Sequence, residues 1–194
     1  EHKRTLEAME ELGDLYRRNG YLEKAFPYYS DALATRRERW GDEDPRTLDS
    51  MEDMGELLQD QGKLEEATPY FTHVLEVFRR THGNESTKTL SAMEEMGELL
   101  FYQKRYEESF ALFQEKLGVQ RRKLGRKHPF TLNTLALLAA YLDISDRDEE
   151  AALSMYIECL EGCRLAHGGD SPQVLTLLAA IAGHLFDDLE RYDE

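Results

Sequence analysis

The chain has 194 residues, of which 41% are hydrophobic and 32% charged, and its formal net charge is −15. That balance excludes a nucleic-acid or anionic-membrane binder, since both need an excess of Lys and Arg. No apolar run approaches the roughly 20 residues of a membrane span, and the charged start Glu1-His2-Lys3-Arg4 does not read as a signal peptide.

The first predicted helix (helix A) carries Met9, Leu12, Leu15 and Tyr16 at helical spacing, an apolar stripe expected to pack inward. Gly20 ends it. A second helix (helix B) runs through Ala25, Tyr29, Ala32 and Leu33 to Arg36-Arg37 and stops at Gly41, and small residues at 13 and 25 allow the two helices to approach closely. The joint "WGDEDPRTL" places Asp44 as an N-cap before Pro45, with Trp40 expected to pack across the joint. The pattern then returns. "MEELGDLY" at 9–16 becomes "MEDMGELL" at 51–58 and "MEEMGELL" at 93–100, and Thr-Leu pairs stand at 5–6, 47–48, 89–90 and 131–132. The step is 42 residues, the length of one helix pair.

Helix B of the second repeat begins within "GKLEEATPYF" (62–71), at "KLEE", and Ser86 caps the next helix without a proline. In the third repeat Lys116 takes the place of Ala32 and Val74, with Gly118 two residues on, so helix B is expected to be loosened or bent there. The fourth repeat, after "LGRKHPFTL", reads "LALLAAYL" at 135–142, and one residue is expected as an insertion after Ala151. The joint "HGGDSPQVL" leads to a fifth helix A at about 173–186, and "RYDE" at 191–194 stands where a helix B would begin. The expected fold is all-α, a right-handed α-solenoid of helix-turn-helix repeats. It forms one array over 1–194, with repeats at about 5–46, 47–88, 89–130 and 131–173, and a truncated fifth at 174–194. A helix A without its partner leaves an apolar face uncovered, so the chain is expected to be a fragment of a longer protein, with self-association through that helix as one outcome.

The spacing Met9…Leu12-Gly13…Tyr16, followed by Ala25…Tyr29…Ala32, resembles the tetratricopeptide repeat, and the 42-residue step with "GKLEEATPYF" resembles its kinesin-light-chain type. The resemblance implies a concave groove lined by the A helices and a role in binding protein or peptide partners. It implies no enzymatic activity and no cofactor. Such repeats serve many partners, so the fold alone does not name one. A scaffold or adaptor is the leading expectation. The recognition arm of a larger signalling protein, such as a repeat-bearing nucleotide-switch ATPase, is the alternative.

At about 100° per residue the acids of each helix A fall opposite its apolar stripe. Glu7, Glu10, Glu11 and Asp14 form the set in repeat 1, Asp49, Glu52, Asp53 and Glu56 in repeat 2, and Glu94, Glu95 and Glu98 with Ser91 in repeat 3. In repeat 4 the same places hold Asn133, Ala136, Leu137 and Ala140, and in repeat 5 Thr176, Ala179, Ala180 and Gly183. These positions are the candidate partner-binding face, acidic over repeats 1–3 and apolar over repeats 4–5. A solvated face is the competing reading, because charge runs commonly serve solubility. Kinesin-light-chain repeats carry an asparagine pair where this chain has Glu10-Glu11, Glu52-Asp53 and Glu94-Glu95. Ionised carboxylates only accept hydrogen bonds, so the expected partner segment is basic or of mixed charge. The apolar stretch, which includes Ile144 and Phe186, is a pocket, a dimer contact or a face covered by other parts of the protein.

Histidines 2, 73, 82, 128, 167 and 184 are scattered over different repeats and make no catalytic set. Cys159 and Cys163 stand four apart on one predicted helix with no further ligands at metal spacing, which points to packing in a reducing, cytoplasmic protein.

Overall fold

A computed structural model describes residues 2–144 and 149–167, and it contains eight helices and no strand among them. The chain divides into two compact units, 1–104 and 105–194. The expected fifth helix A and its self-association face lie outside the described residues.

Unit 1 holds α1 (His2–Arg18), α2 (Leu22–Trp40), α3 (Pro45–Asp60), α4 (Leu64–His82) and α5 (Thr87–Tyr102), each packed on the next in sequence. The starts of α3 and α5 follow from side-chain caps. Asp44 accepts from the Arg46 backbone N–H with Pro45 in the first turn, and Ser86 accepts from the Thr89 N–H. Across the first joint the Arg46 guanidinium lies 3.7 Å from the centroid of the Trp40 ring, so the tryptophan does bridge to the second repeat.

Glycine sets the spacing within the first two helix pairs. A Cβ at Gly13 would lie 3.1 Å from the Tyr29 ring, and one at Gly55 would lie 2.8 Å from the Phe71 ring. Both rings are almost wholly buried, as are Ala25 and Ala67 beside them. Pro27 and Pro69 stand inside α2 and α4, at the sixth residue of each helix. The A-to-B turns use the left-handed region: φ is +76° at Gly20, +74° at Gly62 and +61° at Lys104. Among the described turns only the third asks a side-chain-bearing residue to hold that conformation, which costs an L-residue about 1–2 kcal/mol.

The expected inward packing fails in part of α1. Leu12 is 43% exposed and Leu15 58%, while their counterparts Met54 and Leu57 on α3 are buried. Helix α3 has helices before and after it in unit 1, whereas α1 packs only on what comes after it, so one side of its stripe is uncovered.

Unit 2 holds α6 (Tyr106–Lys123), α7 (Pro129–Ile144) and α8 (Glu149–His167) around a core that includes Phe113, Leu135, Leu138, Tyr156 and Cys159. Helix α6 runs unbroken through Lys116 and Gly118, so the expected loosening is absent. Lys116 is buried, with its backbone in regular helix. At the start of α7 the His128 ring accepts from the Phe130 backbone N–H at 3.3 Å, a capping role its sequence position did not announce.

The extra residue of the fourth repeat also lies elsewhere than expected. The buried set of α4, Ala67, Phe71, Val74, Leu75 and Phe78, recurs on α8 as Ala152, Tyr156, Cys159, Leu160 and Cys163. Ala152, not Ala151, is the counterpart of Ala67, so the insertion falls between α7 and α8. A residue added inside the helix would rotate everything after it by about 100° and carry the apolar stripe off the core. In a turn it adds little to the closure entropy. Both cysteines are free and buried; the Cys159 thiol donates to the Leu132 carbonyl at 3.4 Å, and burial pushes its pKa up to about 12.

Two substitutions test these turns and contacts with opposite signs. Lys104→Gly relieves the left-handed strain and should raise stability by about 0.5–1 kcal/mol in urea titration. Gly55→Ala forces a methyl against the Phe71 ring and should lower it by about 1–3 kcal/mol.

Candidate functional site

The candidate acids occupy three A helices of unit 1, and the structure sorts them into distinct groups. The first group is tied to basic or hydroxyl partners. Glu10 on α1 accepts from Arg36 Nη2 at 2.5 Å and from the Ser50 hydroxyl at 2.9 Å, and both charged side chains are mostly buried. Arg36 also donates to the Arg46 carbonyl, so one guanidinium joins α1, α2 and the first turn of α3. Burial raises the Glu10 pKa, with Arg36 and Ser50 pulling against it. Asp14 accepts from the Tyr29 hydroxyl at 2.5 Å, and this contact, after burial, holds the tyrosine pKa well above its ordinary value. Glu56 on α3 is paired with Arg17 of α1, whose Nε reaches Asp60 at 2.6 Å. Sequence patterning does not single out Arg17, Arg36, Tyr29 or Ser50 as partners of the acids. The arginines are set at helix ends, where the helix dipole already accounts for basic residues, and that hides their cross-helix role.

The second group lacks such clamps. Glu52 and Asp53 on α3 and Glu95 on α5 are half-buried, and Glu95 Oε2 is buried with no hydrogen-bond partner. Burial raises the Glu52 pKa to about 7, helped by Asp49, Asp53 and Glu56 and opposed by Lys88. Asp53 also rises to about 7, from burial first and then from Glu10, Asp14 and Glu56, with Arg36 opposing. Glu95 rises to about 8 through burial and the charges of Glu52, Glu56, Glu94 and Glu98. Desolvation and like charge both disfavour the ionised form, and here they act together.

A cavity of about 230 Å³ lies among Asp49, Glu52, Phe78, Thr87, Lys88, Ser91 and Glu95. The Lys88 ammonium stands 5.4 Å from the centroid of the Phe78 ring and partly offsets the carboxylates. Neither Lys88 nor Phe78 stands out in the sequence as a site residue. A signal did exist for the lysine, since Arg46 occupies the same place one step earlier.

Of the remaining candidates, Glu11 and Asp49 are exposed, Glu94 and Glu98 are half-buried, and the Glu7 side chain lies outside the described residues. In unit 2 Asn133 is exposed, while Ala136 and Ala140 pack with Leu137 and Tyr141 against that unit's own core. Positions 144 (side chain), 176, 179, 180, 183 and 186 fall outside the description. Among the described residues no group of three or more His, Cys, Asp or Glu is placed to hold a metal ion, and no helix is long and apolar enough to cross a membrane.

The tetratricopeptide-repeat family profile matches residues 4–80, 47–115 and 88–153. Among curated proteins no sequence matches this chain. Among solved structures, it is similar to a protein of Podosopora anserina described as a kinesin light chain with nearly identical TPR-like repeats. The TM-score is 0.85 at 19% identity, covering 100% of this chain and 91% of that one, and a point variant of the same protein gives the same values. It is also similar to BtubC (BKLC) from P. vanneervenii, with a TM-score of 0.74 at 20% identity over 93% of this chain and 73% of the other. At these identities the likeness shows the fold: all-α, a solenoid of helix-turn-helix repeats. Repeats of this kind typically act as non-enzymatic scaffolds for protein partners.

The raised carboxyl pKa values set a pH dependence whose sign follows from proton binding. Between about pH 4 and pH 8 the folded chain holds more protons at Glu52, Asp53 and Glu95 than the unfolded chain, so stability falls as pH rises through that window. The midpoint of thermal unfolding should therefore climb as pH drops from 8 to 5, and the slope should flatten in Glu95→Gln, which stays neutral throughout.

Proposed function

The chain belongs to the tetratricopeptide-repeat family, and from that premise we propose that it is a protein-interaction scaffold or adaptor, without catalysis or cofactor, that takes a Lys- or Arg-bearing segment of a partner on the A-helix acids of repeats 1–3. The observation that carries this reading is the split among the carboxylates. Glu10, Asp14 and Glu56 already have partners within unit 1, whereas Glu52, Asp53 and Glu95 crowd together with raised pKa values, and Glu95 Oε2 has no partner. Packing does not explain three half-buried like charges that repel one another. An incoming ammonium or guanidinium relieves that repulsion and supplies the missing donor.

Glu7, Glu11, Asp49, Glu94 and Glu98 complete the acidic face in this proposal, with Glu10, Asp14 and Glu56 contributing field more than contact. Ala136 and Ala140 of unit 2, partly exposed, are proposed separately as an apolar contact for the partner, with the exposed amide of Asn133 beside them. The two buried free thiols support a cytoplasmic setting, where reducing conditions keep such groups unpaired.

Binding and proton release are coupled in this reading, because a cation favours the ionised carboxylates. A Lys/Arg-rich peptide titrated into the chain by calorimetry should bind more tightly at pH 8 than at pH 6, and added salt should weaken it. The double substitution Glu52→Gln with Glu95→Gln should reduce its affinity about 3- to 10-fold, or about 0.7–1.4 kcal/mol. An Asp/Glu-rich peptide bound equally well, or affinity unmoved by salt and pH, would overturn the proposal. Glu10 is unsuitable for such a test, since removing it strands the buried Arg36 charge and lowers stability itself.

A further inference from the structure

The joints between repeats serve as internal controls for charge. At the first joint the arginines that end the B helices meet acids of the loop. Arg37 lies 3.0 Å from Asp42, and Arg80 reaches Glu43 at 2.6 Å. The second joint keeps Asn84-Glu85 at those two places. In unit 2 the joint between α6 and α7 has Arg126-Lys127 there instead, so the sign is reversed. Residues 121–130 hold five Lys and Arg and no acid, in a chain of net charge −15. Arg121 is paired with Glu158 of α8, while Arg122, Lys123, Arg126 and Lys127 are exposed.

Local energetics do not account for this pattern. The dipole of α6 favours Arg122 and Lys123 at its C-terminal end, but Arg126 and Lys127 stand just before α7. A cation there faces the positive end of the next helix, which disfavours it. Two apolar positions change in the same joint. At the first joint the Arg46 guanidinium covers the Trp40 ring, and the counterparts of those two residues here are Phe130 and Leu124. Both are exposed, Phe130 by 65%, with only the His128 ring 5.3 Å away recorded against it. Cations and bare apolar side chains in one patch suit a protein contact better than a solvated turn.

We propose that the Lys- and Arg-bearing segment received by the acidic A-helix face of unit 1 is the α6–α7 joint of a second copy of this chain. This rests on the acidic face acting as a receptor for cations, and it names the occupant. Unit 1 carries the complement of the joint. Glu11 and Asp49 are exposed and Glu52, Glu94 and Glu98 half-buried, so acids of three helices are available to guanidinium and ammonium donors. Leu12 and Leu15 are also exposed, with Leu15 one turn from Glu11, and they offer an apolar contact for Leu124 and Phe130. At about 0.15 M salt the screening length is about 8 Å, so the net negative charge of two copies is damped while touching pairs still attract. The contact joins two different surfaces, so each copy keeps one joint and one face for further copies.

The test is sedimentation velocity of the whole chain from micromolar to millimolar concentration. The weight-average sedimentation coefficient should rise with concentration, and raising salt from about 0.15 M to about 0.5 M should weaken association about tenfold. Arg126→Glu with Lys127→Glu, both at exposed turn positions, should weaken it about tenfold or more, and Glu52→Gln with Glu95→Gln about 3- to 10-fold. Mixing these two variants is the decisive measurement. One keeps an intact face and the other an intact joint, so the mixture should associate more tightly than either variant alone. A chain that stays monomeric at millimolar concentration while its acidic face still binds a Lys/Arg-rich peptide would overturn the second-copy proposal and leave the reading of the face standing. If neither the peptide nor a second copy binds, both fail together. Association that survives Arg126→Glu with Lys127→Glu, or a mixture no tighter than its components, would also overturn it.

Discussion

The contact on which the structure depends is the one between a glycine on helix A and an aromatic ring on helix B. A Cβ would be crowded at Gly13 against Tyr29 and would clash at Gly55 against Phe71, so the ring lies close on helix backbone. That closeness fixes how the pair buries its stripe, with Ala25 and Ala67 fully enclosed beside the rings. Dispersion and loss of apolar surface to water both scale with this fit, and interiors packed to such density tolerate few changes of volume. In the first two helix pairs the 42-residue step repeats this one contact. When an extra residue entered the fourth repeat, the tolerable place was the turn before α8, which keeps Tyr156 in register with Phe71.

Charge is distributed around that frame in two ways. Arg36 and Arg17 reach from one helix to carboxylates of others, and a guanidinium suits this work because several rigid donors serve several acceptors at once. Where such a clamp is lacking, as at Glu52, Asp53 and Glu95, partial burial raises proton affinity into the neutral range. The same residue type in the same phrase thus meets two settings: Glu10 and Glu56 face a guanidinium from a neighbouring helix, whereas Glu95 keeps a buried oxygen without a partner. A scaffold built of near-identical units gains individual surfaces in this manner.

Much of this was legible in the residues. The helix pairs, the joints with Asp44 and Ser86 as caps, and the close approach at residues 13 and 25 all follow from local rules of spacing, capping and composition. Those rules act within a few residues along the chain, so a sequence displays them directly. The acidic phrase was equally visible, but its division was not. Glu10 is matched with Arg36 and Ser50 at separations of 26 and 40 residues, and nothing in either segment names the other. The exposure of Leu12 and Leu15 escaped for a related reason, since an inward stripe is inward only where a neighbouring helix covers it.

The sequence by itself determined the unit of construction: a helix pair whose small residues allow close approach, repeated at a constant step and carrying acids on one face of helix A. Periodicity and propensity are properties of one helix, and they need no partner to be read. The tertiary structure alone decided which acids are clamped and which are left crowded, and where the inserted residue is absorbed. Each of these depends on distances between side chains far apart in the chain. Burial and Coulomb energy are set by those distances and by the exclusion of water, and neither exists until the helices have met.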